Sequence, residues 1–180
     1  MRQMAKQEWM WKALAAVVMA AGRAMAQEQE DTVARRIVVS IPDRKLALIE
    51  DGEVVKIYPT AVGADKTPSP TGTFTVITRI PNPTWYHVGK VVPPGRNNPV
   101  GTRWIGISEK GYGIHGTNSP ASIGHNVSHG CIRMRNRDIE QLFELVKVGD
   151  VVELHGEIDE EVARIFHPEP EPVLAAGGAQ

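Results

Sequence analysis

Cys131 is the single cysteine of the 180-residue chain, and its neighbours are residues that could make its sulfur reactive. Gly130 precedes it, and Arg133 and Arg135 follow shortly after. Nearby positive charge favours a thiolate over a thiol, and a glycine lets the backbone come close to a substrate. A sulfur nucleophile also needs a group that takes up and returns protons. The pattern therefore predicts nucleophilic catalysis if such a group lies beside the sulfur.

Three histidines are candidates for that proton carrier. His115 precedes Cys131 on a separate segment that reads as a strand, so its ring could approach the sulfur from a neighbouring strand. His125 and His129 are closer in sequence and are the other candidates.

Three other interpretations stay open on spacing alone. A lone cysteine can be a small, buried and inert side chain. Zinc suits imidazole and thiolate ligands, although the spacing here matches no common structural zinc pattern. The zinc set would be His115, His125, His129 and Cys131. Some histidines can also serve only as hydrogen-bonding groups of loops. That is our default for His87, His125, His155 and His167.

Residues 1–26 have the order of a secretory signal peptide. Positive residues come first, residues 13–21 form a short apolar run, and Ala24-Met25-Ala26 places small residues where a signal peptidase reads. The run is too short to span a bilayer, which needs about 20 apolar residues. We predict cleavage after Ala26 and a polar linker at 27–34, with an uncleaved anchor or a helix of the fold as the alternative. Exported proteins usually pair their cysteines as disulfides, so a lone one is either inert or reactive.

The charge balance argues against one class of partner. The formal net charge is −1, and lysines and arginines are scattered along the chain. Nucleic-acid binding needs a clustered positive surface. We therefore expect no nucleic-acid partner.

The pattern between residues 35 and 155 is mainly that of β-strands. Asp51-Gly52 favours a tight hairpin between two of them, residues 65–72 read as a loop, and residues 81–99 read as a long loop with no regular periodicity. The predicted strands are 37–39, 45–49, 53–58, 60–62, 74–78, 104–107, 113–115 and 151–154. The acidic, proline-rich segment 156–180 is predicted to be disordered.

One helix is predicted at 137–147. Its apolar residues recur at the spacing of a single helical face. They are Ile139, Leu142, Phe143 and Val146. We expect Asn136 to cap the helix and Gly149 to end it.

His115-Gly116-Thr117, followed by Ser128-His129-Gly130-Cys131-Ile132-Arg133, resembles the signature of the L,D-transpeptidase (YkuD-like) family. Four further segments resemble the family's opening hairpin, its Pro-Thr-Gly-x-Phe loop, its Asn-Pro-Leu-Gly segment and its closing elements. They are residues 41–46, 67–74, 98–101 with Trp104, and 148–152. The resemblance implies a catalytic domain at 35–155 that is mainly β, with sandwich-like or barrel-like sheets and one main α-helix.

The resemblance also assigns roles to the residues. Cys131 would be the nucleophile, His115 its proton acceptor and donor, and the Gly116 backbone carbonyl the group that orients His115. His129 would shape the site, and the N–H groups of Gly130 and Cys131 would serve the oxyanion. The substrate-binding candidates are Arg133, for a carboxylate, with Ser128, Trp85 and Tyr86. The last two lie on the long loop, as parts of a lid or as core aromatics.

The implied reaction is acyl transfer on peptidoglycan tetrapeptide stems through a cysteine thioester, with no metal or cofactor. A stem amine as acceptor would give 3→3 cross-links, and a lysine of an outer-membrane lipoprotein would give a wall-anchored protein. With water as acceptor the enzyme would be an L,D-carboxypeptidase or hydrolase that trims stems or releases a wall-anchored lipoprotein. A wall-binding module without activity is the non-enzyme alternative. The expected location is the Gram-negative periplasm, and carbapenems would be expected to trap the cysteine.

Overall fold

The computed structural model describes residues 34–169. The predicted signal peptide, the predicted linker up to residue 33 and residues 170–180 lie outside that range. Within residues 34–169, no helix combines the length and the apolar character that crossing a membrane requires.

The described residues form twelve strands and two α-helices. In chain order the strands are β1 (Arg35–Ser40), β2 (Lys45–Glu50), β3 (Glu53–Pro59), β4 (Val62–Gly63), β5 (Gly72–Pro81), β6 (Trp85–His87), β7 (Lys90–Val92), β8 (Arg103–Ile107), β9 (Gly113–His115), β10 (Asn126–Ser128), β11 (Ile132–Arg133) and β12 (Val151–His155). The helices are α1 (Asn136–Leu145) and α2 (Glu160–Phe166), and a 3-10 helix covers Pro120–Ser122. The prediction of a mainly β fold is confirmed.

Eight of the strands form one sheet in the order β11-β9-β8-β5-β12-β1-β2-β3. Most neighbours are antiparallel, but β12 runs parallel to β1, and β11 runs parallel to β9. Parallel neighbours require a connection that leaves the sheet and returns to it. The connection between β9 and β11 therefore brings the segment around Cys131 back beside the strand that carries His115.

Strand β1 is buried on both of its faces. Ile37 and Val39 belong to the main apolar cluster, which also contains Leu142 of α1. Val38 lies in a second cluster with Phe166 of α2. Because side chains alternate between the two faces of a strand, an uninterrupted apolar run such as residues 37–39 fits a sheet with a helix on each side.

The prediction that residues 156–180 are disordered is wrong for α2. Val162, Ile165 and Phe166 are buried, and they follow the i, i+3, i+4 spacing of a helix face. The Asp159 carboxylate accepts a hydrogen bond from the Val162 N–H at 2.9 Å and caps the helix. The acidic and proline-rich composition around this short face obscured it.

The prediction that residues 81–99 lack regular structure is also wrong. They contain the antiparallel hairpin β6–β7, which pairs Trp85 with Val92 and His87 with Lys90. Gly89 at its turn has φ +72°, which glycine adopts without strain. Five prolines lie outside the two strands, and their presence hid the short hairpin.

Helix α1 begins at Asn136 and ends at Leu145, slightly before the predicted limits. The residue at the N-cap position is Arg135, and it makes no side-chain capping bond. The expectation that Asn136 caps the helix is therefore wrong. Gly149 lies in the turn before β12 with φ +100°, beyond the end of the helix.

Candidate active site

Three neighbouring strands place the main candidate residues in one row. In the register of β8, β9 and β11, Trp104 lies opposite His115, and His115 lies opposite Arg133. Cys131 lies two residues before Arg133, just outside β11, and its thiol is hydrogen-bonded to the backbone of Gly113 on β9. The fold therefore brings the sulfur and the imidazole to one surface from separate strands.

This surface forms the floor of a cavity of about 420 Å³. The cavity is lined by most of the residues that sequence analysis selected, together with residues of the long loop and the β9 turn. They are Trp85, Tyr86, Pro99, Val100, Trp104, Gly111, His115, Ser128, His129, Cys131 and Arg133.

Cys131 is partly buried and its sulfur is reachable from this cavity. Its Sγ lies 3.7 Å from the Gly111 carbonyl oxygen, in the position of a thiol donor. Burial raises the pKa of the thiol above its ordinary value, and the Gly113 N–H and the Arg133 charge only partly offset this rise. The Arg133 charge favours the thiolate, as expected, but desolvation is the larger effect, so the pKa of the thiol is raised overall.

His115 is buried, and its surroundings fix the tautomer of its ring. The ring stacks on Trp104 with the centroids 5.5 Å apart and the planes 18° apart. Its Nδ1 lies 2.5 Å from the Gly116 carbonyl oxygen. Because a carbonyl oxygen only accepts hydrogen bonds, Nδ1 must carry the proton in the neutral ring, which leaves the lone pair on Nε2.

Burial also keeps the His115 ring neutral. Desolvation lowers its pKa to about 4, with a smaller lowering from the Arg133 charge, while the Gly116 carbonyl acts in the opposite direction. At neutral pH the site therefore holds a thiol and a neutral imidazole whose Nε2 can accept a proton.

Ser128 and Gly130 shape the turn that presents Cys131. The Ser128 hydroxyl donates to the Cys131 carbonyl oxygen at 2.6 Å and accepts from the Gly130 N–H at 3.0 Å. The prediction that the Gly130 N–H serves an oxyanion is therefore contradicted, because Ser128 already binds it. The Ser128 hydroxyl, predicted to bind substrate, is itself engaged by the turn. The Cys131 N–H is left as the oxyanion donor of the predicted pair.

Gly130 cannot be replaced by a larger residue without rearrangement. Its φ is +108°, a region that side chains rarely allow. A Cβ at this position would overlap the Tyr112 ring and come within 3.1 Å of the Pro68 carbonyl oxygen. The glycine thus lets the nucleophile turn pack against two other segments.

Arg133 contributes a guanidinium to the cavity wall. Within residues 34–169 its side chain has no carboxylate partner within salt-bridge distance, and its buried Nε has no hydrogen-bond partner. Arg135 differs, since it faces Asp138 at 3.8 Å. An unpaired guanidinium in this position suits a planar carboxylate.

The hairpin β6–β7 covers one side of the cavity with Trp85 and Tyr86. Trp85 is partly buried and stacks on His87, with 5.3 Å between the centroids. Tyr86 is 73% exposed, which rules out the alternative of a core aromatic for this residue. The buried Asn98 side chain anchors both ends of the hairpin, since its amide donates to the Pro83 carbonyl at 2.6 Å and the Pro93 carbonyl at 3.3 Å.

The four residues of the zinc alternative do not converge. Within residues 34–169, no three of His115, His125, His129 and Cys131 bring their ligand atoms together. His129 is exposed at the cavity rim. His155 and His167 hydrogen-bond to carboxylates, at 2.6 Å to Asp159 and 3.0 Å to Asp43, which agrees with their default interpretation.

One convergent group does exist, away from the sulfur. Glu153, His155 and Glu161 lie close together in a cavity of about 600 Å³ beside β12 and α2. Arg36 already binds both glutamates, at 2.7 Å and 2.6 Å. We interpret this group as an ion-pair network that attaches α2 to the sheet.

Two neighbours of Cys131 were not predicted from the sequence. Tyr112 packs against Gly130, and the Gly111 carbonyl receives the thiol. Both belong to Gly111-Tyr112-Gly113, in which two glycines flank an aromatic residue that lies three positions before His115. This glycine–aromatic–glycine pattern is the feature of the sequence that could have indicated the role of the segment.

Comparisons with known proteins point to the same family that the sequence motifs resemble. The family model of the L,D-transpeptidase catalytic domain, YkuD, matches residues 34–154. The YkuD protein of Bacillus licheniformis is 44% identical over 124 residues, covering 69% of this chain and 67% of that protein. A solved L,D-transpeptidase from Mycobacterium smegmatis is 26% identical with a TM-score of 0.59, and the match spans 69% of this chain but only 59% of that one. A similar L,D-transpeptidase, solved in complex with imipenem, is 26% identical with a TM-score of 0.57 and matches 68% of this chain and 59% of its own.

The raised pKa of Cys131 predicts slow alkylation at neutral pH. Because only the thiolate reacts, the iodoacetamide rate of the folded protein should rise until the pH exceeds 9.0, the ordinary thiol value. Mass spectrometry of the intact protein measures this rate, and the single cysteine makes the assignment unambiguous. The denatured protein is the control and should titrate at lower pH. A folded protein whose rate is already maximal at pH 7 would contradict the assignment of a resting thiol.

Proposed function

Because the chain belongs to the L,D-transpeptidase catalytic-domain (YkuD) family, we propose that it transfers peptidoglycan stem peptides through a cysteine thioester. The observation that carries this proposal is the geometry of one surface. A reachable thiol, a neutral imidazole with a fixed tautomer and an unpaired guanidinium line a single cavity. This is the set of groups that acyl transfer by a cysteine needs.

In the first step, the Cys131 sulfur attacks the carbonyl carbon between the third and fourth stem residues. The thiol proton passes to Nε2 of His115 as the carbon–sulfur bond forms, since both groups are neutral at rest. The carbonyl oxygen becomes an oxyanion, which the Cys131 N–H would stabilise. The Gly116 carbonyl holds the imidazolium that results.

In the second step, the carbon–nitrogen bond breaks. The leaving nitrogen of D-alanine takes the proton from Nε2, so the imidazole is neutral again and the stem remains on sulfur as a thioester. An acceptor amine then gives its proton to Nε2 and attacks the thioester carbon. The departing sulfur takes that proton back, which restores the thiol and leaves a new amide bond.

Substrate orientation is assigned to the remaining residues of the cavity. Arg133 would bind a stem carboxylate, because it is charged and has no partner among residues 34–169. Trp85 and Tyr86 would cover the stem from the hairpin, and His129 would contact it at the rim.

The acceptor distinguishes three forms of the reaction. A stem amine gives a 3→3 cross-link, a lipoprotein lysine gives a wall-anchored protein, and water gives an L,D-carboxypeptidase or hydrolase. The same thiol, base and oxyanion donor serve all three. We favour amine acceptors, because the comparable solved proteins are L,D-transpeptidases, and we propose the periplasm as the place of reaction.

Replacing Cys131 with alanine should abolish the reaction. The wild-type protein, incubated with purified tetrapeptide muropeptides, should release D-alanine and form 3→3 dimers that mass spectrometry identifies. Cys131→Ala should form neither product and should not be labelled by a carbapenem. Turnover retained by the folded variant would remove the nucleophile assignment, and tripeptides without dimers would favour the carboxypeptidase.

His115 should matter far more than another histidine. His115→Ala removes the proton carrier, for which losses of roughly 10²- to 10⁴-fold are typical, so carbapenem acylation should slow by that order. His125→Ala is the matched control, since His125 does not line the cavity, and its rate should change little. Stopped-flow absorbance measures both rates. Equal losses of acylation rate in the two variants would mean that His115 is not the base.

A further inference from the structure

The side chain of Asn136, which was expected from the sequence to cap α1, makes its hydrogen bonds outside the helix. Helix α1 begins with no side-chain capping bond. The Asn136 Oδ1 instead accepts hydrogen bonds from the Thr117 N–H at 3.0 Å and, more weakly, from the Thr102 N–H at 3.4 Å. The side chain therefore points from the start of the helix into the segment that follows His115.

Two glycines make room for this side chain. A Cβ at Gly101 or at Gly116 would overlap the Asn136 Oδ1. Gly116 is buried, and so is Thr117. The oxygen is thus enclosed between two backbone segments, and replacing either glycine would displace it.

The Thr117 N–H belongs to the same peptide group as the Gly116 carbonyl. A trans peptide is planar, with its N–H and C=O on opposite edges. Asn136 therefore holds one edge of this peptide, while the His115 Nδ1 lies 2.5 Å from the oxygen on the other edge. The two hydrogen bonds form a chain in which each polarises the next.

We propose that Asn136 is a positioning residue for His115. By fixing the plane of the peptide between Gly116 and Thr117, it keeps the carbonyl aimed at Nδ1 and so keeps the lone pair on Nε2. The catalytic meaning of this role rests on the proposed acyl transfer, but the hydrogen-bond chain and the tautomer it fixes do not.

The competing interpretation is that Asn136 only attaches α1 to the sheet. Such a role would change stability without changing the imidazole. Two observables distinguish the interpretations: the tautomer of His115 and whether a loss of rate appears in kcat or in KM.

The acceptor oxygen is the part of Asn136 that the proposal needs. Within residues 34–169, the Asn136 Nδ2 has no hydrogen-bond acceptor. Asn136→Asp keeps an oxygen in the same place and should rescue the function, whereas Asn136→Ala removes it. Arg137→Ala is the matched control, because the Arg137 side chain is 77% exposed and lies next to Asn136 on the same helix.

The test combines ¹⁵N NMR of the histidine rings with steady-state kinetics. Asn136→Ala should shift His115 from the Nδ1–H form to a mixture of tautomers and should lower kcat by up to about 100-fold with little change in KM, as expected for a displaced catalytic group. Asn136→Asp and Arg137→Ala should keep the Nδ1–H form and most of kcat.

An Asn136→Ala protein that melts earlier but keeps the wild-type tautomer and kcat would overturn the proposal. If Asn136→Ala does not fold, the Asn136→Asp variant provides the test. A folded Asn136→Asp protein whose His115 has lost the Nδ1–H form would overturn the proposal. A folded Asn136→Asp protein whose His115 keeps the Nδ1–H form would support the proposal. A wild-type protein with the predicted tautomer but no transpeptidase product would count against the proposed function alone.

Discussion

The site depends on the hydrogen bond between the buried His115 ring and the Gly116 carbonyl. A carbonyl can only accept, so this bond decides which ring nitrogen carries the proton and which one is the base. The stacking of Trp104 and the row of residues across β8, β9 and β11 hold the ring in place. A backbone group can perform this task because its position is set by the fold.

The same burial that fixes His115 keeps both members of the pair uncharged at rest. Arg133 stabilises a thiolate, but less than desolvation opposes it. In the proposed reaction, the sulfur would be ionised only as it attacks, and Nε2 of His115 would accept its proton. For a protein that we propose to be exported, a resting thiol has a further benefit. Because the thiolate is the form that is oxidised readily, a protonated Cys131 should be oxidised more slowly in an oxidising compartment than an ionised one.

The chain pattern predicted the mainly β fold and the position of α1, because those elements have long apolar periodicities. It failed for β6–β7 and α2, whose signals are short and lie among prolines and acidic residues. Cys131 and His115 were predicted as the candidate nucleophile and base from residue type and from a family resemblance. The pKa of the Cys131 thiol could not be predicted, because the sequence shows that Arg133 is near the cysteine but does not show how strongly the sulfur is desolvated. The use of the Gly130 N–H by Ser128, and of Asn136 by Thr117, likewise depends on contacts between distant segments.

The most direct test of this account is the pH dependence of carbapenem acylation, with circular dichroism at each pH to verify folding. The rate requires a neutral His115, whose pKa is about 4. In the unfolded chain the imidazole is protonated below its ordinary pKa of 6.5, whereas in the folded protein it stays neutral down to about pH 4. The free energy of unfolding therefore falls as the pH decreases from 6.5 to about 4. The rate should be sustained below pH 6.5 and should fall by half near pH 4. A rate that falls by half at pH 6.5 or above in a fully folded protein would contradict it.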